Sequence, residues 1–182
     1  MNNIYVFSGP CGCGKTTLTN AFARHLVSAG GRLQTYVIHG DDFHQGFVDT
    51  DHRDAASPGV FLNWPDILKF NWDCILSVAG KALDRKLDVV IDYIVEDELP
   101  LLIDLAKRFG AQLYYVVLTV SEEELVQRLT LRGSEELIER SLFLKNQLDH
   151  APESQNHLYD ISAKTPDQEI AGLNIDQYRL LN

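Results

Sequence analysis

The sequence of 182 residues is short of basic side chains and contains no long apolar run. It has 16 Lys and Arg against 26 Asp and Glu, a formal net charge of −10. Nucleic-acid binding needs clustered cations, so this balance argues against DNA or RNA as a partner. Because no apolar stretch approaches the ~20 residues that span a bilayer, we expect no membrane partner. The N-terminus also lacks the order of a secretory signal, which predicts a cytoplasmic protein.

Cysteine is scarce as well. The three cysteines, Cys11, Cys13 and Cys74, are too few for a disulfide framework. Cys11-x-Cys13 could suggest metal or redox chemistry, but we interpret both as variable positions of a glycine-rich loop. The length suits one well-cored domain, and neither a repeat nor a linker divides it. We therefore predict a single domain over residues 1–182, with no sequence signal for an oligomeric state.

A phosphate-binding motif lies near the N-terminus. Residues 9–16 fit G-x-x-x-x-G-K-[ST], between a predicted strand at 4–7 and a helical pattern from residue 17. The helix N-terminus and Lys15 can meet the phosphates, and the Thr16 hydroxyl can ligate Mg²⁺. The alternative is a glycine-rich turn with an incidental lysine. The predicted nucleotide-binding residues are Gly9, Pro10, Cys11, Gly12, Cys13, Gly14, Lys15, Thr16 and Thr17.

Strand and helix patterns alternate through the rest of the chain. They predict an α/β fold, a three-layer P-loop NTPase domain with a parallel sheet of about five strands and helices on both faces. Residues 45–65 follow no period and are rich in Asp, Gly and Pro. A loop of that length is more often a binding segment than a connector, so we assign substrate binding to it. The alternative is a surface excursion.

Carboxylates end two of the predicted strands. Asp41 and Asp42 follow the second strand, and Asp92 ends the third, at the sheet edge where ligands bind. Asp41 could orient an acceptor hydroxyl and take its proton, or hold Mg²⁺ through water. Asp92 has the position of a Walker B carboxylate, although an N-cap or turn role is equally open. His39, Asp41 and His44 match no zinc spacing, and we expect no transition metal there.

Arg128 and Arg132 lie four residues apart, and therefore on one face of a predicted helix. A capping box at Ser121 and Glu124 marks the start of that helix. The planar guanidinium group of each arginine can bind two phosphate oxygens at once, which suggests a short lid near residues 128–136. The alternative is a solvated face with Arg128 paired to Glu124.

Taken together, these motifs resemble the small P-loop kinases of the nucleoside-monophosphate-kinase-like group, and most of all the gluconate kinases. The resemblance rests on residues 9–16, on Gly40-Asp41-x-x-His44 and on the arginine pair. It implies ATP- and Mg²⁺-dependent transfer of the γ-phosphate to a hydroxyl of a small molecule. It also implies that Asp41 and His44 hold a sugar acid. Separately from the resemblance, the positive charge of Arg53 suggests that this residue could meet the carboxylate of such an acceptor. The predicted catalytic residues are Lys15, Asp41, Arg128 and Arg132. The predicted acceptor-binding residues are Asp41, Asp42, His44, Arg53 and Asp92. The predicted metal ligands are Thr16 and Asp92.

The segment after His44 lacks the run usual in gluconate kinases, and the lid is short. Residues 41–43 are also similar to the aspartate pair of uridine- and nicotinamide-riboside-type kinases, and residues 90–93 to chloramphenicol phosphotransferases. In both groups Asp41 or Asp42 would lie near the acceptor hydroxyl. Alternatives of other classes are a nucleotide-hydrolysing switch, for which no Asn-Lys-x-Asp signature is present, and an inactive nucleotide-binding protein.

Overall fold

A computed structural model describes residues 2–30, 34–47 and 64–180. Five strands form one sheet with the order β2-β3-β1-β4-β5, and every neighbouring pair is parallel. The predicted α/β fold with about five parallel strands is confirmed. The strands are β1 (Asn3–Ser8), β2 (Thr35–His39), β3 (Asp88–Asp92), β4 (Gln112–Thr119) and β5 (Leu158–Asp160).

Helices connect the strands and cover both faces of the sheet. They begin and end close to the predicted helical patterns, because apolar residues at helical spacing pack onto the sheet. The α-helices are α1 (Lys15–Gly30), α2 (Asp41–Gln45), α3 (Trp64–Asp84), α4 (Leu99–Phe109), α5 (Glu122–Arg132), α6 (Ile138–His150) and α7 (Pro166–Gly172). Two 3₁₀ helices, Glu135–Leu137 and Ile175–Tyr178, complete the described elements.

The helix α2 is absent from the sequence prediction, which ends the second strand in an irregular polar cluster. Five residues are too few to show a helical period. Two acidic residues in its first turn, Asp41 and Asp42, favour a helix N-terminus electrostatically. Asp41 and His44 therefore lie on one short helix and not on an open loop.

Two apolar cores lie on opposite faces of the sheet. Ile4 and Val6 of β1 pack with α3 and α4 on one face, and Tyr5 and Phe7 pack with α1 and α5 on the other. All five residues of β3 are buried. This is the pattern expected of a parallel strand covered on both faces, and it fixes the ends of β1 and β3 side by side.

The binding segment assigned to residues 45–65 lies mostly outside the described residues, which resume at Trp64. Arg53 is among the residues outside that description. Within the described ranges, no helix combines the length and apolar character needed to cross a membrane.

Candidate functional site

The loop between β1 and α1 has the backbone of a phosphate cradle. Gly12 and Gly14 adopt φ angles of 82° and 110°, in the region that side chains rarely enter. A Cβ atom at Gly12 would also lie 2.8 Å from the Leu129 side chain. Only glycine therefore fits this turn, which directs successive backbone N–H groups toward one anion.

A cavity of about 380 Å³ opens over this loop. It gathers residues from α1, α2, α5 and the segment between β5 and α7. Four of the lining side chains are cations and two are carboxylates, so the cavity is positive within a chain of net charge −10. This is the electrostatic match for a chain of phosphates. The lining residues are Cys11, Gly12, Gly14, Lys15, Thr16, Thr17, Asp41, Arg128, Arg132, Lys164, Pro166 and Glu169.

Lys15 lies at the base of this cavity and donates from Nζ to the carbonyl oxygen of Pro10 at 3.0 Å. Burial works against its charge, but the electrostatic influence of Cys13, Asp92 and Asp41 raises the pKa of Lys15 above its ordinary value. The ammonium group is therefore fully charged at neutral pH. It has the place and the charge to meet phosphate oxygens.

Thr16 and Asp92 meet beside Lys15. The Thr16 hydroxyl donates to Oδ2 of Asp92 at 2.6 Å, and Nδ1 of His39 lies 3.0 Å from the same oxygen. The sheet register explains the meeting, because Asp92 is paired with Phe7 on one side and with His39 on the other. Asp92 ends β3 and α4 begins only at Leu99, so Asp92 is not an N-cap.

A hydroxyl and a carboxylate held together are oxygen donors of the type that Mg²⁺ prefers. Thr16 and Asp92 therefore fit the metal role predicted for them. In residues 2–30, 34–47 and 64–180, no group of three or more His, Cys, Asp or Glu side chains could hold a metal ion.

Arg128 joins the lid helix to the phosphate loop. Its guanidinium donates to the carbonyl oxygen of Cys13 and to Oε1 of Glu124, both at 2.5 Å. The two interpretations of Arg128 are compatible, because one nitrogen pairs with Glu124 while another contacts the loop. Arg132 lines the same cavity one turn later and is exposed.

Glu124 departs from the predicted capping box. Ser121 accepts a hydrogen bond from the Glu124 backbone N–H at 3.2 Å, as predicted, but the Glu124 carboxylate turns to Arg128 and to the backbone N–H of Ala163. The Ala163 N–H, followed by Arg128, lowers the pKa of this carboxyl. Glu124 thus ties α5 to the segment after β5 and holds the Arg128 fork in place.

The predicted acceptor residues separate into two places. Asp41 and Asp42 are both exposed on the same helix, but only Asp41 of the two lines the cation-rich cavity. His44 lies against α3, with Nδ1 3.1 Å from Nδ2 of Asn71 and its ring edge-on to Trp64. The structure therefore brings Asp41, but not His44 or Asp42, into the cavity of the phosphate loop.

Three residues of this region are missing from the sequence prediction. Lys164 and Glu169 line the cavity from beyond β5, and Asn71 contacts His44 from α3. The rule that ligands bind past the ends of parallel strands could have indicated the residues after β5. Asn71 has no such signal, because it lies among the apolar residues of α3. Burial raises the pKa of Glu169, which is 4% exposed.

A larger cavity, of about 520 Å³, lies between the β3–α4 connection and α6. Its lining contains Glu96, Asp97 and Glu153 but no lysine or arginine. A triphosphate requires cations, so the smaller cavity fits a nucleotide better in spite of its size.

Comparisons with known proteins agree with this geometry. Residues 4–153 match the family AAA_33, described as an AAA domain. A guanylate kinase of Geobacter sulfurreducens is 29% identical over 148 residues, covering 76% of this chain and 70% of that protein. A ribose 1,5-bisphosphate phosphokinase PhnN of Pectobacterium parmentieri is 30% identical over 164 residues, covering 87% and 81%.

Among solved structures, a gluconokinase from Sinorhizobium meliloti 1021 superposes with a TM-score of 0.56 at 20% identity, covering 93% of this chain and 87% of that one. At that identity the likeness extends to the fold alone. Family match, phosphate loop and cation-lined cavity lead to one conclusion: the chain belongs to the AAA_33 family and is an ATP-dependent P-loop kinase.

Proposed function

We propose that this kinase transfers the γ-phosphate of ATP to a hydroxyl group of a small molecule, and that a sugar acid such as gluconate is the acceptor. One observation carries the proposal. Asp41 lies in the same cavity as Lys15 and Arg128, so a carboxylate faces the place where the transferred phosphoryl group would lie. A positioned carboxylate and flanking cations are the parts that phosphoryl transfer to a hydroxyl requires.

The cations divide the charge of the phosphates. Lys15, at the N-terminus of α1, would meet the β- and γ-phosphate oxygens together with the loop N–H groups. Arg128 and Arg132 project from α5 toward the same cavity and would neutralise the group in transit. Lys164 adds a fourth positive charge from the segment beyond β5.

Thr16 and Asp92 would hold Mg²⁺, since their oxygens already lie 2.6 Å apart beside Lys15. Bound there, the ion supplies positive charge to the β- and γ-phosphate oxygens.

Asp41 would act on the acceptor. The acceptor oxygen attacks the γ-phosphorus, the bond from that phosphorus to the β–γ bridging oxygen breaks, and ADP leaves with the bonding electron pair. The proton of the acceptor hydroxyl passes to the Asp41 carboxylate late in the transfer. The first turn of α2 holds Asp41 at a fixed point of the cavity edge.

The spacing of Asp41 and His44 supports a sugar acid as the acceptor, because this Asp-x-x-His pattern is similar to the one in gluconate kinases. Arg53 would supply a cation for the acceptor carboxylate from the segment between Phe47 and Trp64. Antibiotic and nucleoside acceptors fit the same Asp41 chemistry, because each offers a hydroxyl to a positioned carboxylate.

A phosphate-bearing acceptor is the second candidate, and the relatives favour it. Their names are those of a guanylate kinase and a ribose 1,5-bisphosphate phosphokinase, and both are similar to more than three quarters of this chain. Such an acceptor would present a phosphate oxygen in place of the hydroxyl and would need no proton transfer to Asp41.

The test is ADP release measured with a panel of acceptors. The panel contains gluconate and other sugar acids, nucleosides, chloramphenicol-like alcohols, GMP and ribose 1,5-bisphosphate, with Lys15→Ala protein as the background control. Stimulation by a hydroxyl acceptor supports the proposal, and stimulation by GMP or the bisphosphate alone supports the second candidate. Hydrolysis that ignores the panel would indicate a nucleotide switch, and the kinase proposal fails if nothing stimulates release.

A further inference from the structure

Three side chains form a hydrogen-bonded chain beside the helix that carries Asp41. Asn71, on α3, donates from Nδ2 to the hydroxyl oxygen of Tyr93 at 2.9 Å and lies 3.1 Å from Nδ1 of His44. Tyr93 follows Asp92 directly at the end of β3, and His44 lies three residues after Asp41 on α2. The chain therefore links α2, α3 and the end of β3 at one point.

The three hydrogen-bonded residues differ in how deeply they are buried. Asn71 is fully buried, Tyr93 is 3% exposed, and the His44 ring is half-buried. The Oδ1 atom of Asn71 has no hydrogen-bond partner in the described part of the protein. A buried amide oxygen without a partner is unfavourable, so the amide at this position is not explained by packing alone.

Tyr93 holds the amide in place. Its ring packs edge-on against Trp72, with centroids 5.5 Å apart, and lies so close to Gly40 that a Cβ atom there would be 2.4 Å from a ring carbon. The backbone N–H of Gly40 in turn donates to the carbonyl oxygen of Asp92 at 2.9 Å. The phenol oxygen is thus a fixed acceptor for one N–H of Asn71.

The second N–H of Asn71 determines the form of the His44 ring. An amide nitrogen can only donate, so Nδ1 of His44 accepts and carries no proton. The neutral ring then carries its proton on Nε2. That N–H is a hydrogen-bond donor on the same short helix that carries Asp41.

We propose that Asn71, anchored by Tyr93, is a positioning residue that holds His44 as the Nε2–H tautomer, so that His44 donates a hydrogen bond to an oxygen of the acceptor. The donor role rests on the proposed function, because it requires an acceptor near α2. The tautomer does not, and it can be measured without any turnover.

The first measurement is the ¹⁵N NMR spectrum of the full chain labelled at histidine nitrogen, with His44→Gln to assign the resonances. We expect a protonated Nε2 and a bare Nδ1 in the wild type, and loss of this single tautomer in Asn71→Leu. A reversed amide would bring Oδ1 against the ring and require the proton on Nδ1. That spectrum, or one unchanged in Asn71→Leu, overturns the proposal.

The second measurement is steady-state kinetics with the acceptor that the panel identifies. Asn71→Leu should raise the acceptor KM about fivefold, the worth of one neutral hydrogen bond, and leave the ATP KM within about twofold. Tyr93→Phe should also raise the acceptor KM, by a smaller factor. Equal rises in both KM values, or no change in either, would show that Asn71 does not position the acceptor contact.

Ser141→Ala is the matched control, because Ser141, on α6, is also fully buried and its hydroxyl has no hydrogen-bond partner among the described residues, His44 and Tyr93 included. It should leave both KM values unchanged. If Asn71→Leu does not fold, Tyr93→Phe and the wild-type tautomer still decide the question. If no acceptor is phosphorylated at all, the proposed function fails. The NMR spectrum still tests the His44 tautomer independently.

Discussion

The phosphate side and the acceptor side of this site are built in different ways. The proposed phosphate side is one contiguous stretch, residues 9–17, to which Asp92 at the end of β3, Arg128 on α5 and Lys164 after β5 are added. The proposed acceptor side has no contiguous stretch: Asp41 lies on α2, Asn71 lies on α3, and Tyr93 directly follows β3. A binding function carried by local backbone can be predicted from a motif, whereas one assembled from distant side chains requires the fold.

The largest expected effect tests the phosphate side. Lys15→Ala should lower kcat by about 10³-fold or more with every acceptor, because the lysine of the phosphate loop is lost. Coupled-assay kinetics check this, with Lys81→Ala, an exposed lysine of α3, as the control. Substantial turnover in Lys15→Ala would remove the phosphate loop from the catalytic description.

The next effect tests the acceptor side. Asp41→Asn should lower kcat by about 10²-fold and leave the ATP KM nearly unchanged, since the proposed role of the carboxylate is to take the acceptor proton. Asp42→Asn, its neighbour on the same helix, should remain within about twofold, because Asp42 does not line the cavity. A near-normal rate for Asp41→Asn would transfer the role to Asp42 or Asp92.

Arg128→Lys separates charge from geometry on the phosphate side. Lysine keeps the positive charge but cannot span both the Cys13 carbonyl and Glu124, so kcat should fall by about tenfold. Arg132→Lys should lower kcat less than Arg128→Lys does, because Arg132 is exposed and has no second partner to lose among the described residues. The reverse ranking would identify Arg132 as the principal contact of the transferred group.

The smallest effect concerns Glu169, the carboxylate that opposes the cations. Glu169→Gln should lower the ATP KM by about twofold to threefold, since one negative charge leaves the phosphate cavity. Burial raises the native pKa of Glu169, so its stabilising contribution is present below the ordinary carboxyl pKa and lost as the pH rises through the native value.

The melting temperature of Glu169→Gln should therefore exceed that of the wild type at pH 7.5, and the difference should shrink toward pH 4. Thermal denaturation at both pH values measures it. A constant difference would mean that the charge of Glu169 is not the cause.

The sequence prediction is most accurate where physical signals repeat. The strands, the long helices and the phosphate loop follow from apolar periodicity and from one dense motif, and the structure contains them. Asp92 could be placed at the end of a buried strand, but its two interpretations required the sheet register to separate them. Only the pairing of β1 with β3 brings Thr16 to it.

The remaining site residues could not be predicted because their signals are weak or not local. The helix α2 is shorter than two turns, so no period marks it. Asn71 is one polar residue in an apolar helix, and its partners are 27 and 22 residues away in sequence. Glu124 satisfies a capping pattern, yet its carboxylate binds Arg128 and Ala163, a choice that depends on where β5 ends.

The contact of Gly40 with Tyr93 has a consequence for how such a kinase can change its acceptor. The start of α2 is attached to the sheet through this contact and through the Gly40–Asp92 hydrogen bond. Among the described residues, Asp41 is thus held through its neighbour Gly40, which contacts Asp92 and Tyr93 at the end of β3. We expect substitutions that spare Gly40 and Tyr93 to alter acceptor choice while Asp41 keeps its place at the edge of the cavity.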